Sequence, residues 1–472
     1  MSRPIRPFVF LLLLSLPAAT GQELDDPPVR PATWRSQDDP PRSQDDQPPT
    51  REDGGQGASR DELEDILRLG LGELTRVNVG SELAVEVTTV SRSQSTVGKS
   101  PAAVFVVTNE MIRRSAARTL PEVLRMVPGL NVQRINGTRW AISIRGFTGR
   151  FANKLLVQID GRNVYSPLFG GTIWDEQDVL LEDVDRIEVI RGPGASVWGE
   201  NAVNGVINVI TKNAKDTQGT YLNVGAGDEW QGFTSARAGG KAGDHLHYRV
   251  YGKWQERDSE LSPVPPAKDD FRMARGGTRL DWKPTCSDAI TVQGEAYGGD
   301  SGGQTALAVP FPPFGIIADQ TEKLSGGFAL TRWVHQVDRD NRWALQMYYD
   351  RANRAAPFTG LDTTRDVIDL DFQYETVLGE WHSIVWGFGY RYYDDNADNS
   401  LQVQFVPEKR SLDLFSYFIQ DRMTLVEDRW YFTLGSKFGH NEYTDFEMQP
   451  TARLLWTPND RTTVWGAASY SV

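Results

Sequence analysis

Residues 187–212 read IEVIRGPGASVWGENAVNGVINVITK, and this stretch decides the fold. It begins with an alternating apolar run that includes Ile187 and Val189, and it ends with a second apolar run at 206–210. Glycines and prolines punctuate the stretch at Gly192, Pro193, Gly194, Gly199 and Gly205. This pattern predicts two short strands joined by a tight connection.

The same residues resemble the closing signature of the plug domain of TonB-dependent outer-membrane receptors. The signature reads IEVxRGP, a small residue, and then G-x-N-A-x-x-GVINxIT-K. The resemblance implies a mainly β fold, in which a small α/β plug is lodged in an antiparallel transmembrane β-barrel of about 22 strands. It also implies import of a scarce nutrient, typically a ferric siderophore, haem or cobalamin.

Three pieces further upstream fit the same family in order and spacing. A strand near 103–107 leads into a helix capped by Thr108, and a second helix follows with a capping box of Thr119 and Glu122. The pieces ISIRGF at 142–147 and LLVQIDG at 155–161 come next. The plug-signature positions are Pro128, Gly129, Gly146, Gly161, Gly192, Pro193, Gly199, Asn201, Gly205, Asn208 and Lys212.

Two arginines of these pieces, Arg145 and Arg191, are candidates for a charge cluster. By resemblance they lie between plug and barrel wall and pair with barrel glutamates. A guanidinium suits this position because its planar fork binds a carboxylate bidentately and stays charged. Asp160, Glu188 and Glu182 are candidate counter-charges within the plug. The alternative is that both arginines are plain surface residues at strand ends.

The β-branched segment VEVTTVS precedes the plug. It consists of Val85, Glu86, Val87, Thr88, Thr89, Val90 and Ser91. In the family, a short extended segment here, the TonB box, is captured by a TonB-type energy-transducing protein of the inner membrane. Capture by strand addition uses main-chain hydrogen bonds, so its sequence demands are loose. The first strand of the plug is an equal alternative for these residues.

The N-terminus has the features of an exported protein. Arg3 and Arg6 precede an apolar run at 8–16 and then small residues, which predicts a signal peptide. The predicted divisions are a signal peptide at 1–21, a disordered periplasmic leader with a short helix at 22–82, the TonB box and linker at 83–98, the plug at 99–213 and the barrel at 214–472. The leader is rich in Pro, Asp and Gln, a composition that cannot bury enough apolar surface to fold.

The residues after 213 repeat alternating segments of about ten residues, as expected for membrane strands. In 365–375, for example, Ile368, Leu370 and Phe372 oppose polar residues. Beside a plug, the apolar face should meet outer-membrane lipid. About 13 strands are predicted, fewer than a closed barrel of this family needs. We therefore expect 214–472 to be the N-terminal part of the barrel.

The composition and motifs exclude several functions. The net charge of −13 argues against nucleic acid as a partner. The single cysteine, Cys286, cannot form an intrachain disulfide and is expected to be packed. No catalytic motif or metal-ligand set appears, so we predict no enzyme activity, no cofactor and no metal site.

Three long inserts, at 258–271, 301–321 and 394–407, are expected to face outward and bind a small metal chelate or cofactor-like ligand. Passive surface loops are the alternative for each insert. The predicted function is TonB-dependent active import across the outer membrane, driven by the proton-motive force of the inner membrane. The alternative is an outer-membrane ligand-binding, signalling or adhesion barrel without active uptake.

Overall fold

The computed structural model describes residues 82–199, 201–259, 268–357, 361–400, 402–459 and 462–471. The predicted signal peptide and nearly all of the leader, including its predicted helix, lie outside these residues. Among the helices that are described, none has the length and apolar character needed to cross a membrane.

The region up to residue 213 contains eleven short strands and three short helices among its described residues. The strands are β1 (Glu86–Val87), β2 (Ser95–Thr96), β3 (Val104–Thr108), β4 (Leu130–Arg134), β5 (Trp140–Ile144), β6 (Leu155–Ile159), β7 (Arg162–Asn163), β8 (Tyr165–Ser166), β9 (Gly171–Thr172), β10 (Val184–Arg191) and β11 (Gly205–Thr211). The helices are α1 (Asn109–Arg114), α2 (Leu120–Leu124) and α3 (Ala195–Trp198).

The two strands predicted from the closing signature are β10 and β11, which lie in the middle of a five-stranded sheet. They pair antiparallel, from Arg186 opposite Ile210 to Arg191 opposite Gly205. The sheet order is β3-β10-β11-β6-β7, with β11 parallel to β6. Burial on both faces explains why apolar residues occupy most positions of β11.

The first predicted helix cap is confirmed and the second is not. The Thr108 hydroxyl accepts a hydrogen bond of 3.3 Å from the amide of Met111 at the start of α1. Thr119 occupies the cap position of α2, but its side chain makes no capping bond. Glu122 reaches back one residue further and accepts from the amide of Arg118 at 2.7 Å. The carboxylate therefore binds an amide ahead of the helix, and the predicted capping box of Thr119 and Glu122 does not form.

The residues after 213 form a second sheet of 13 strands, in agreement with the predicted number. These strands are β12 (Gly219–Gly225), β13 (Gly232–Ala242), β14 (Leu246–Arg257), β15 (Phe271–Trp282), β16 (Asp288–Ala308), β17 (Gly315–Gln336), β18 (Asn341–Ala355), β19 (Thr363–Leu378), β20 (His382–Ala397), β21 (Lys409–Val426), β22 (Trp430–Asn441), β23 (Asp445–Asn459) and β24 (Thr462–Ser469). Each strand pairs antiparallel with the next in chain order.

The faces of this sheet are inverted relative to those of a soluble protein. In β23, Met448 and Leu454 are 50% and 41% exposed, whereas Gln449, Thr451 and Arg453 are at most 5% exposed. The plug packs on the polar face, and the apolar face is left uncovered. A soluble sandwich would bury the apolar face instead, so the arrangement is that of a membrane barrel wall.

Because the strands run antiparallel in chain order, alternate connections lie at the same edge of the sheet. One edge, called the short-turn edge here, carries the described connections 243–245, 283–287, 337–340, 379–381 and 427–429. Tryptophans cluster beside it at Trp282, Trp333, Trp343, Trp381, Trp386, Trp430 and Trp456. Such a belt is typical of a membrane–water interface. The opposite edge, called the loop edge, carries the other connections; of the two longest, residues 258–259 with 268–270, and 398–400 with 402–408, are described.

The plug reaches both edges. At the loop edge, the β4–β5 turn contacts the sheet connections, where Arg134 pairs with Glu229 at 2.7 Å and the amide of Gly137 donates to Asp269. At the short-turn edge, Lys99 pairs with Asp428 at 3.1 Å. The N-terminal segment and the β4–β5 turn thus mark opposite ends of the plug.

Candidate functional site

The strongest ionic contact between plug and sheet centres on Arg354 of β18. Its guanidinium donates to Asp175 at 2.8 Å, to Glu176 at 3.0 Å and to Glu322 of β17. Arg139 of the plug joins the same group by pairing with Glu322 at 2.8 Å. Arg354 itself is 7% exposed. A buried cation with this many partners fixes geometry, because losing any one partner leaves a charge unpaired.

Burial and pairing have opposite effects on the two plug carboxylates. Burial alone would raise the pKa of Asp175, but the adjacent Arg354 guanidinium outweighs it and holds that pKa below its ordinary value. For Glu176, burial prevails and raises the pKa, with only partial compensation by Arg354. Burial, reinforced by the nearby Arg139, lowers the pKa of Arg150 to about 10. The group is therefore held together by charge matching in a water-poor space.

Further ion pairs of both polarities join the plug to other strands. Arg162 of the plug pairs with Asp350 of β18 at 2.5 Å. In the opposite sense, Asp183 of the plug pairs with Arg237 of β13, and Asp178 pairs with Lys253 of β14 at 2.7 Å. These pairs spread from one strand to the next, so the plug has a defined position on the polar face.

The two arginines predicted for this cluster, Arg145 and Arg191, lie elsewhere. Arg191 donates to the carbonyl of Pro128 at 2.9 Å, and Arg145 donates to the carbonyl of Arg191 at 2.8 Å. Both bonds stay within the plug and neither reaches a carboxylate. The reason is local, because the chain turns back after β5, with left-handed φ angles of 58° at Arg145 and 95° at Gly146. The arginines fasten plug turns to one another, and other residues contact the sheet.

Two of the three candidate counter-charges, Asp160 and Glu188, also have other partners. Asp160 accepts bonds from the amide and the hydroxyl of Thr211 at 2.8 and 2.7 Å. Its nearest guanidinium is that of Arg279 on β15, at 3.8 Å. Glu188 pairs with Arg186 at 2.8 Å. The structure therefore does not bring the predicted quartet together.

Glu188 has a more specific contact, because its carboxylate holds the candidate TonB box. It is fully buried and accepts hydrogen bonds from the amides of Thr88 and Thr89 at 2.9 and 2.8 Å. Asn208 donates to the Thr89 hydroxyl at 3.0 Å, and the Trp198 indole donates to the Thr89 carbonyl at 2.7 Å. Three residues of the closing signature thus grip the segment that precedes the plug.

The rest of the candidate TonB box is also engaged. Glu86 and Val87 form β1, which pairs with β2 in a two-stranded hairpin separate from the five-stranded sheet. The carbonyl of Val85 accepts from the Val97 amide at 2.9 Å, and Ser91 contacts Ser93. Val90 packs in an apolar cluster of the plug. The segment is therefore a docked hairpin, which differs from both a free strand and a strand of the plug sheet.

Arg92 connects this hairpin to the second sheet. It donates to both carboxylate oxygens of Asp371 on β19, at 2.9 and 2.8 Å. Its guanidinium lies 4.3 Å from the Trp198 ring and 4.6 Å from the Phe418 ring. Stacking on two rings and two bonds from one guanidinium nitrogen to the carboxylate together define one orientation of this arginine. Gln373 of β19 adds a bond to the Arg92 carbonyl at 2.8 Å.

Two of the signature glycines, Gly161 and Gly199, lie where side chains of the second sheet come close. A Cβ on Gly161 would lie 2.8 Å from the Gln346 amide, and one on Gly199 would lie 2.7 Å from the Lys437 ammonium. Left-handed φ angles occur at Gly129, Gly146, Gly161, Gly192, Gly199 and Asn201. At the end of the signature, the Lys212 carbonyl accepts from Arg249 of β14 at 2.6 Å. Gly161, Gly199 and Lys212 therefore lie where the plug approaches the sheet, while Pro193 lies in the connection between β10 and β11 and Gly205 is the first residue of β11.

The predicted outward inserts share the loop edge, but they are shorter than expected. Residues 301–321 are mostly strand, because β16 runs to Ala308 and β17 starts at Gly315. Residues 394–397 belong to β20, and residues 260–267 and 401 lie outside the described residues. Cys286, predicted to be packed, is exposed at the short-turn edge.

Residues that sequence reasoning missed have a recognisable signal. The acidic stretch WDEQD at 174–178 lies between plug strands and supplies Asp175, Glu176 and Asp178. Its partners Lys253 and Arg354 lie buried on the polar faces of membrane-type strands. Charged residues on the polar face of such a strand beside an acidic plug stretch would have suggested this contact.

Comparison with known proteins supports the resemblance to TonB-dependent receptors that the sequence indicates. Residues 96–206 match the family described as the TonB-dependent receptor plug domain. The vitamin B12 transporter BtuB of Vibrio cholerae is 32% identical over 187 residues, which cover 39% of this chain and 30% of that protein. The ferric enterobactin receptor of Pseudomonas aeruginosa is 30% identical over 279 residues, which cover 49% and 36% of the two chains.

Among solved structures, the outer-membrane ferripyoverdine receptor of Pseudomonas aeruginosa superimposes with a TM-score of 0.66 at 15% identity. The match covers 83% of this chain and 60% of that one. In each of these comparisons this chain covers less than two thirds of the other protein. The matched plug, the inverted sheet and the superposition identify the chain as a member of the TonB-dependent receptors of the outer membrane.

Proposed function

We propose that the protein imports a scarce nutrient across the outer membrane, with energy delivered through a TonB-type partner. The observation that carries this proposal is the placement of the plug on the polar face of a sheet whose apolar face is uncovered. A plug in that position blocks the path along the polar face, so passage requires the plug to move. The relatives named above are a vitamin B12 transporter and a siderophore receptor, which supports cobalamin or an iron chelate as cargo.

The docked hairpin at residues 85–96 is the proposed point of energy input. Its residues 90–95 line the same cavity as the connection 337–340 at the short-turn edge. Release of the hairpin exposes the buried side chains of Val87 and Val90, at a cost of about 1.5–3 kcal/mol each. A partner that adds a strand to residues 85–91 offsets this cost with main-chain hydrogen bonds. Because Glu188 and Arg92 connect the hairpin to plug and sheet, a pull on it is transmitted to both.

A ligand-binding receptor without active uptake is the second candidate. The burial of Val87 and Val90 favours it, since a segment held in place is less available for capture. Deletion of residues 85–91 separates the two candidates. In an importer the deletion stops uptake while ligand binding to cells survives, and in a passive receptor neither changes.

The experiment measures uptake of radiolabelled cyanocobalamin and of ferric enterobactin in the native host, with the deletion placed at the chromosomal locus. A strain without the inner-membrane TonB protein is the matched control. Uptake that is lost in both strains supports import. Uptake at wild-type rate in both strains contradicts it.

A further inference from the structure

Two cavities lie between the plug and the second sheet on either side of residues 90–95. The first has a volume of about 370 Å³ and is bounded by the plug and by strands from β15 to β22. The second has a volume of about 340 Å³ and opens beside the connection 337–340 at the short-turn edge. Both are lined by Gln94 and Arg342, so they adjoin each other. Together they lead from the centre of the plug toward the short-turn edge.

The charge of this space is opposite to that of the protein. Eleven arginines and lysines line the two cavities, against five aspartates and glutamates. The whole chain carries 50 basic and 63 acidic side chains. Basic residues are therefore concentrated in an internal path that passes the docked hairpin.

Part of this basic lining is neutralised by neighbours. Arg92 pairs with Asp371 at 2.8 Å, Arg391 with Asp369 at 2.7 Å and Arg342 with Glu375 at 2.7 Å.

Other cations of the lining are not neutralised. Within the described ranges, Arg332, Arg422 and Arg453 form no ion pair shorter than 4.0 Å with any carboxylate. Arg453 is 5% exposed and contacts the carbonyl of Val90 at 3.4 Å, whereas Arg332 is exposed to the space of the first cavity.

Such a space favours anions for two physical reasons. Low-dielectric walls focus the field of the unpaired cations into the cavity. A guanidinium also binds carboxylate or phosphate oxygens in pairs and is more weakly hydrated than an ammonium, so it exchanges water for such a ligand readily. A neutral solute gains from neither effect.

We propose that the two cavities form one cationic passage that binds a small polyanion, carrying several carboxylate or phosphate groups, with Arg332 as its principal contact. The inference rests on the proposed import function and names the charge of the cargo. The site lies on the hairpin side of the plug, so it receives the cargo after the loop edge has released it.

Calorimetric titration of the full-length protein in detergent micelles tests the passage without TonB or a proton gradient. Citrate and tripolyphosphate are the probes, and sucrose is the uncharged control. We expect both anions to bind, with an affinity that falls as salt is added. Arg332→Gln should weaken binding by about tenfold, because it removes one charge without leaving a carboxylate unpaired. Arg332→Lys keeps the charge but loses the planar fork, so it should weaken binding less than Arg332→Gln does.

The matched control is Arg351→Gln, which removes an arginine from the outward face of β18 and should leave binding unchanged. Equal affinity in Arg332→Gln and wild type overturns the proposal, as does sucrose binding as tightly as citrate. Should Arg332→Gln fail to fold, salt-insensitive anion binding by the wild-type protein overturns it. Nutrient uptake by cells without any anion binding refutes the passage alone, whereas anion binding that depends on Arg332 without uptake refutes import alone.

Discussion

Around Arg354, basic residues of the sheet form ion pairs with carboxylates of the plug. Around Arg332, by contrast, the sheet presents cations to a cavity, and the plug does not pair with Arg332. The first region is dry and paired, and it defines where the plug sits. The second is a cavity of about 370 Å³ with a basic lining. One interface therefore combines attachment with an open, charged path. If the two regions differ in this way, substitutions in them should differ in their effects.

The largest effect is expected from Arg354→Ala. The substitution leaves Asp175, Glu176 and Glu322 without their shared cation in a buried space. Removing one member of a buried ionic group costs about 3–5 kcal/mol. Urea unfolding of the purified protein in micelles, followed by tryptophan fluorescence, measures the loss. Arg351→Ala, on the outward face of the same strand, should change the free energy of unfolding by less than about 0.5 kcal/mol. Equal losses in the two variants would show that the buried Arg354 contact contributes no more to stability than an exposed arginine.

A smaller effect is expected where Glu188 holds the hairpin. Glu188→Ala leaves the amides of Thr88 and Thr89 without acceptors, at a cost of about 1–3 kcal/mol each. Hydrogen exchange of these amides, measured by mass spectrometry on a peptide spanning 85–95, should accelerate by at least about tenfold. The control is Asp185→Ala, which removes a half-exposed partner of Arg186 and leaves the hairpin bonds in place. Unchanged exchange in Glu188→Ala would show that the carboxylate does not hold the hairpin.

Acid should weaken the paired region in a defined direction. Since Arg354 holds the pKa of Asp175 below its ordinary value of 3.8, that aspartate stabilises the fold above pH 3.8. The contribution is lost as the pH falls below that value. Asp175→Asn should therefore be less stable than wild type at neutral pH and should lose less stability on acidification. Thermal unfolding midpoints at a series of pH values below 5 measure both. Parallel curves for variant and wild type would contradict the assignment.

The smallest effect is expected for Arg191→Gln. Its bond to the Pro128 carbonyl is partly exposed, so its loss should cost about 1 kcal/mol. The midpoint of urea unfolding, compared with that of Arg354→Ala, measures the difference between the two arginines. A loss of unfolding free energy as large as that of Arg354→Ala would contradict the placement of Arg191 outside the plug–sheet contact.

Strands of both the plug and the second sheet were predictable from the sequence. The alternation and glycine punctuation at 187–212 correctly indicate β10 and β11. A strand is recognised by its alternation of apolar and other residues and its ends by turn residues, and both signals are local in the sequence. Alternation also correctly gives 13 strands after residue 213. Both features depend on neighbours along the chain or on the next strand.

Contacts between distant segments were not predictable in the same way. The pairs of Arg354 with Asp175 and Glu176 join positions about 180 residues apart, and nothing in either local sequence names the other. Arg145 illustrates the same limit, since its left-handed turn directs it to a plug carbonyl. The docking of residues 85–91 depends on Glu188, a hundred residues downstream, which the strand pattern alone does not reveal.

The central claim is that the second sheet faces lipid with its apolar side and the plug with its polar side. Spin labels on single cysteines along β18, in a Cys286→Ser background and in lipid vesicles, test it directly. Labels at Met347 and Tyr349 should collide with lipid-soluble oxygen, and labels at Gln346 and Tyr348 should be shielded from it by the plug. Alternation with a period of two residues is the predicted result. Labels at Met347 and Tyr349 that collide with a water-soluble nickel complex instead of oxygen would contradict the account.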